Sequence, residues 1–137
     1  RLGEPLDAID HADLWSERIH HYAFGRMSYE DTTVFSSADG VADGGRRLSS
    51  SESWSVRAVP GRPMWILLRT SAAAPAEIEV LVDGHVAPER FDVPDQIFAE
   101  PSITIPAALV RRPWVRIDLR LRASTVFVYH GWTGELR

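Results

Sequence analysis

Aromatic rings are the residues of this sequence best suited to recognition chemistry. The flat face of a tryptophan or tyrosine stacks on the apolar face of a pyranose, while neighbouring Arg, Asp or His groups bind the hydroxyls. Trp54, Trp65, Trp114, Trp132 and Tyr129 are the rings available for this. The competing use of each is to fill the core of a small domain. Trp114, which follows Arg111, Arg112 and Pro113 at the start of an extended segment, is the one expected at the surface. Arg116, Asp118, Arg120 and Arg122 alternate along that segment and so project from one face of a strand. Forked hydrogen bonds from those arginines suit a carboxylated sugar or an acidic partner. The same alternation equally describes the solvated face of an antiparallel sheet with no ligand. The candidate ligand-binding residues are therefore Trp114, Trp132, Tyr129, Arg116 and Arg120.

Covalent and metal chemistry find little to work with. There is no cysteine, which removes disulfides, thiolate zinc sites and a cysteine nucleophile. His11, His20, His21, His85 and His130 fall neither at i, i+4 on one face nor at the spacing of a zinc enzyme. The stretch with Asp39 and Asp43 offers oxygens of the kind calcium takes, but Val41 stands where a second ligand is wanted and no later Glu closes the site. No nucleophile elbow of the G-x-S-x-G kind is present, and Ser49, Ser50 and Ser51 read as a loop. The expectation is a chain without catalytic residues, metal or cofactor.

The elements that must position these side chains begin with a helix. From Leu6 to Phe24 apolar residues recur at three- and four-residue spacing, with Trp15, Ile19 and Tyr22 on one stripe and Leu14 beside it. Asp7 or Asp10 is placed to cap its start and Gly25 to end it. Residues 1–45 hold nine acids against three Arg, so this lead-in is acidic. It either caps its own domain or lies in a groove of another chain, with Leu14, Trp15, Ile19 and Tyr22 as apolar anchors.

Beyond residue 25 the period changes to two. Met27 to Phe35 opens the β region, Ser36 to Gly45 is rich in turn residues, and Ser53 to Val59 alternates with Trp54, Val56 and Ala58 on one side. Met64 to Arg69 reads as a strand buried on both faces. Asp83 and Gly84 form a type I′ hairpin signal, Pro101 marks an edge strand within Ile97 to Ile105, and Pro106 starts a single helical turn. Val115, Ile117, Leu119 and Leu121 face a core, and Val126 to Trp132 makes the last strand. The fold class is thus all-β: an antiparallel sandwich or jelly roll of seven to nine strands with one N-terminal α-helix, divided into a lead-in over 1–25 and a sandwich over 26–137. At 137 residues and 45% apolar composition one core suffices.

Seven short motifs fall in a recognisable order: Asp43-Gly44-Gly45-Arg46, Ser51-Glu52-Ser53-Trp54, Pro60-Gly61, Leu68-Arg69-Thr70, Val82-Asp83-Gly84, Ile105-Pro106-Ala107 and Tyr129-His130-Gly131-Trp132. Over about two-thirds of its length the chain resembles the extracytoplasmic β-sandwich domains appended to bacterial polyprenol-dependent membrane glycosyltransferases. More loosely it resembles the galactose-binding-like sandwiches attached to carbohydrate enzymes. The resemblance implies a non-catalytic accessory module near sugars and a membrane, on the extracytoplasmic or periplasmic side. An independent subunit that has borrowed the sandwich fits it equally.

Partners divide along the same line. A formal charge of −4 without a basic cluster lacks the electrostatic footprint of nucleic-acid binding. The longest apolar run, Met64 to Leu68, is far below the roughly 20 residues of a membrane span. The chain opens on Arg1 and not Met, as a processed product or a piece of something longer does. Two expectations stand together: an accessory module that binds carbohydrate, and a structural or docking subunit of a larger, membrane-associated protein assembly.

Overall fold

A computed structural model describes residues 2–24, 33–38, 40–48, 50–121 and 125–136. Among the described residues two antiparallel sheets of six strands each form the sandwich. The first contains β1 (Asp7–Asp10), β3 (Thr33–Ala38), β4 (Val41–Leu48), β6 (Met64–Ala72), β10 (Ser102–Ile105) and β12 (Val126–Glu135), in the order β10-β6-β12-β4-β3 with β1 also on β12. The second contains β2 (Ala23–Phe24), β5 (Ser51–Arg57), β7 (Ala76–Val82), β8 (His85–Val86), β9 (Phe91–Val93) and β11 (Trp114–Leu121), in the order β2-β5-β11-β7-β8 with β9 also on β7. The strand count exceeds the expected seven to nine because the short pieces β1, β2, β8 and β9 pair along longer neighbours. No helix among the described residues is long and apolar enough to cross a membrane.

Period-two patterning explains most of this. Val115, Ile117, Leu119 and Leu121 of β11 are buried, whereas Trp114, Arg116, Asp118 and Arg120 are not. They meet the alternate residues Trp54 and Val56 of β5 and Ile78, Val80 and Val82 of β7 in one core with Ile66 and Leu68 of β6. Asp83 and Gly84 both have positive φ, 48° and 83°, as the I′ turn between β7 and β8 requires. Pro101 directly precedes β10 at the sheet edge, and Ala107–Leu109 forms a 3-10 turn capped by Pro106.

Two expectations are corrected. The helix does not run from Leu6 to Phe24: α1 covers only Leu14–Ile19, between strands β1 and β2. Asp13, not Asp7 or Asp10, caps it by accepting from the amides of Trp15 and Ser16 at 3.0 and 3.2 Å. His21, at φ 53°, sits in the left-handed conformation just past its end. Ser36 to Gly45 is not a run of turns but most of the β3–β4 hairpin. Gly45 is there for close approach: a Cβ would stand 2.7 Å from the Tyr129 ring. Asp39, Ser49, Arg122, Gly25, the boundary at residue 25 and most of the Met27–Phe35 segment lie outside the described residues.

The short helix is inverted relative to an ordinary amphipathic one. Its packed side is polar: Glu17 receives Arg46 Nε and Nη2, each at 2.7 Å, in a buried bidentate pair. The Arg46 guanidinium lies 5.6 Å from the Tyr22 ring centroid and 5.2 Å from that of Phe24. Tyr22 donates its hydroxyl to Glu52 at 2.5 Å, and burial with the Glu52 charge raises its pKa far above the ordinary tyrosine value. His11 Nε2 stands 3.2 Å from Glu52 Oε1, close enough for charge attraction but not aligned as a hydrogen bond. His20 pairs with Asp7 at 2.9 Å. Burial alone would lower His20, but its hydrogen bonds to Asp7 and the Ser16 carbonyl outweigh that and leave its pKa raised. The helix α1 is thus held to its own sandwich by charge and hydrogen bonding, while Leu14, Trp15 and Ile19 face solvent.

Candidate ligand-binding face

The outer face of the first sheet gathers the richest set of recognition groups. Its organiser is a bulge in β12, where the pairing with β6 shifts register between Val128 and His130. On one side of the bulge β4 pairs with Val126 to Val128; on the other β1 pairs with His130 to Thr133. Tyr129, at the bulge, lies across Gly45, donates its hydroxyl to Ser36 at 2.8 Å and is met edge-on by Phe98 at 4.9 Å. After it the core-facing positions are Gly131 and Thr133, and His130 and Trp132 point outward.

The two outward rings stack, 4.8 Å apart and 18° from parallel. Arg69 of β6 carries its guanidinium to 5.3 Å from the Trp132 centroid and 5.8 Å from that of Phe98. Two carboxylates hold it there: Asp43 at 3.0 Å and Glu100 at 3.2 Å. Beside Trp132 a groove of about 270 Å³ is lined by Leu2, Pro5, Trp65, Leu67, Glu100 and Trp132 itself. Trp65 forms the floor, laid over Gly134 so closely that a Cβ there would stand 2.5 Å from the indole. The outer part of the Trp132 indole, already flanked by His130 and Arg69, can join the apolar floor and the Arg and carboxylate rim in holding a sugar by apolar contact and its hydroxyls.

The residues expected to bind ligand are not brought together. Trp132 is half-buried in this groove, but Tyr129 is fully buried and presents no ring face. Trp114, 47% exposed, lies on the outer face of the opposite sheet. Arg116 there is spent within the chain, donating to the His21 carbonyl at 2.6 Å and to Ser53 Oγ at 2.6 Å. Arg120 borders an open basin of about 880 Å³ with Glu79, Arg90, Asp92 and Asp95, which has no aromatic lining. Of the docking set, Leu14, Trp15 and Ile19 are 62, 70 and 48% exposed, while Tyr22 is packed against Glu52 and His11. Glu100 was missed, and Arg69 and His130 stood in the ordered motifs without a role in binding, since only strand pairing assembles the three.

Charge at the face is uneven. Asp10, opposite His130 in the β1–β12 register, has its pKa raised, by burial first and by the Asp43 and Asp13 carboxylates, against the opposing pull of His130. The chain has no cysteine, and no catalytic motif is found.

No protein-family model and no curated protein matches the sequence. Solved structures do match. A family 35 carbohydrate-binding module from Clostridium thermocellum aligns over 98% of this chain and 100% of its own, with 10% identity and a TM-score of 0.59. The carbohydrate-binding module CBM36, solved with calcium and xylotriose, aligns over 94% of this chain and 100% of its own, with 12% identity and a TM-score of 0.58. A ruminal GH26 endo-beta-1,4-mannanase aligns over 99% of this chain but 27% of its own, with 10% identity and a TM-score of 0.62. The likeness is one of fold. The β-sandwich resembles the folds of those carbohydrate-binding modules, with nothing specific to a glycosyltransferase accessory domain.

Proposed function

We propose that this chain is a non-catalytic carbohydrate-binding sandwich whose ligand lies in the Trp132 groove. The observation that carries the reading is that the groove joins a half-exposed indole to Arg69, Glu100 and an apolar floor, while the larger basin has no aromatic ring. The fold supports it, since sandwiches of this shape include modules solved with xylotriose and with cellobiose. Its finer form, drawn from the sequence resemblance alone, is an accessory domain on the extracytoplasmic side of a polyprenol-dependent membrane glycosyltransferase.

Affinity electrophoresis through gels containing xylan, mannan, β-glucan or arabinogalactan tests it. At least one polysaccharide is expected to retard the protein. Trp132→Ala should abolish retardation without lowering the melting temperature by more than a few degrees, and Trp114→Ala should leave it intact. Retention that survives Trp132→Ala, or no retention on any polymer, overturns the reading.

A second reading, a docking subunit of a larger assembly, is favoured by one observation: the solvent-facing Leu14, Trp15 and Ile19 on α1. Because the helix packs through its polar side, changing these three to Ser is expected to leave the stability within about 1 kcal/mol of the parent. Such a variant should lose any partner the intact chain co-purifies with. Destabilisation with no change in partners removes this reading.

A further inference from the structure

We propose that Asp10, Asp43 and His130 form a binding site for a divalent transition-metal ion of the zinc type. The three come from three strands and meet where β1 and β4 abut along β12, at the bulge that turns His130 outward. One donor atom from each lies within 4.8 Å of the others. His130 Nδ1 stands 3.1 Å from Asp43 Oδ2 and 3.5 Å from Asp10 Oδ1. Ligands at 2.0–2.1 Å around a tetrahedral ion are separated by about 3.3 Å, so these two edges bracket the spacing that zinc imposes.

The donor set selects the ion. Calcium and magnesium take oxygen shells, whereas one imidazole with two carboxylates suits zinc, cobalt or nickel. A metal ion there takes the Nδ1 lone pair of the neutral imidazole and places its positive charge between the two carboxylates. Arg69 Nη1 donates to that same Asp43 Oδ2 at 3.0 Å and fixes the carboxylate's orientation. Asp10 keeps a 40% exposed side chain, so the remaining coordination positions open to solvent. The ion binds independently of a sugar in the neighbouring groove.

The site carries its own reporter, because His130 stacks on Trp132. Titration of the metal-free full chain with zinc chloride at pH 7.5, in a non-coordinating buffer, is expected to show one site by calorimetry and a change in tryptophan fluorescence at the same stoichiometry. Calcium chloride at the same concentrations should give neither. Two variants localise the ion: His130→Phe keeps a ring on Trp132 but removes the nitrogen, and Asp10→Asn removes a surface carboxylate. Loss of even an outer-shell partner weakens metal binding about 10–100-fold, so each variant is expected to bind zinc at least about tenfold more weakly. Near-UV circular dichroism checks that each remains folded; if His130→Phe does not, Asp10→Asn alone decides. No zinc binding, binding unchanged in the variants, or calcium binding as tight as zinc overturns the proposal.

Discussion

An Arg46→Met variant is expected to lose about 3–5 kcal/mol of stability, the usual cost of leaving one half of a buried ion pair without the other. For a chain of this size that lowers the melting temperature by about 10–20 °C. Arg46 is fully buried, and its two hydrogen bonds to Glu17 tie the helix to β4. Glu17 Oε2 also accepts from the Ala12 amide at 3.0 Å, so losing the guanidinium leaves a buried carboxylate with an incomplete set of donors. The double variant Arg46→Met with Glu17→Met removes both charges and is expected to recover most of the loss. Thermal melts of the parent, both single variants and the double give the coupling energy directly. A double variant no better than Arg46→Met would show that packing around the arginine stem, not the pair, holds the lead-in.

Ile117→Asp is expected to prevent folding altogether. Ile117 has no exposed surface and sits at the middle of β11, itself flanked by β5 and β7. A carboxylate there meets neither water nor a cation, and its desolvation is comparable with the entire stability of a small domain, about 5–15 kcal/mol. Arg120→Ser, three residues along on the opposite face, should change stability by no more than about 0.5 kcal/mol. Far-UV circular dichroism of the soluble fraction distinguishes the two. Equal tolerance at both positions would mean that the β11 register is wrong, since a slip of one residue exchanges the two faces.

How much of this was legible follows from where each signal resides. β11 was readable because buried and solvated residues alternate without interruption, and the β7–β8 turn because Asp-Gly meets a steric demand that few other pairs meet. The lead-in was misread for a physical reason: apolar spacing is normally taken to mark the buried face, and in α1 Leu14, Trp15 and Ile19 mark the exposed one. Ser36 to Gly45 was misread because its glycines suggest turns, whereas Gly45 makes room for Tyr129. The candidate site was half legible. Trp132 stood out by residue type, but Asp43 and His130, 87 residues apart, are brought together by pairing that no local pattern encodes.

The order of strands bears on how such a chain is made. β12 lies between β6 and the strands β4 and β1, and β11 lies between β5 and β7. The central strand of each sheet is therefore made after the neighbours it joins. Until these two strands emerge, β1, β4, β5 and β6 lack the neighbour that closes their hydrogen bonds, so neither layer is complete. Folding must wait for them and then depends on slow, distant pairings. Exposed edges in that interval are open to pairing with other nascent chains, so yield in the cell should depend on expression rate and chaperone supply more steeply than the finished sandwich's stability suggests.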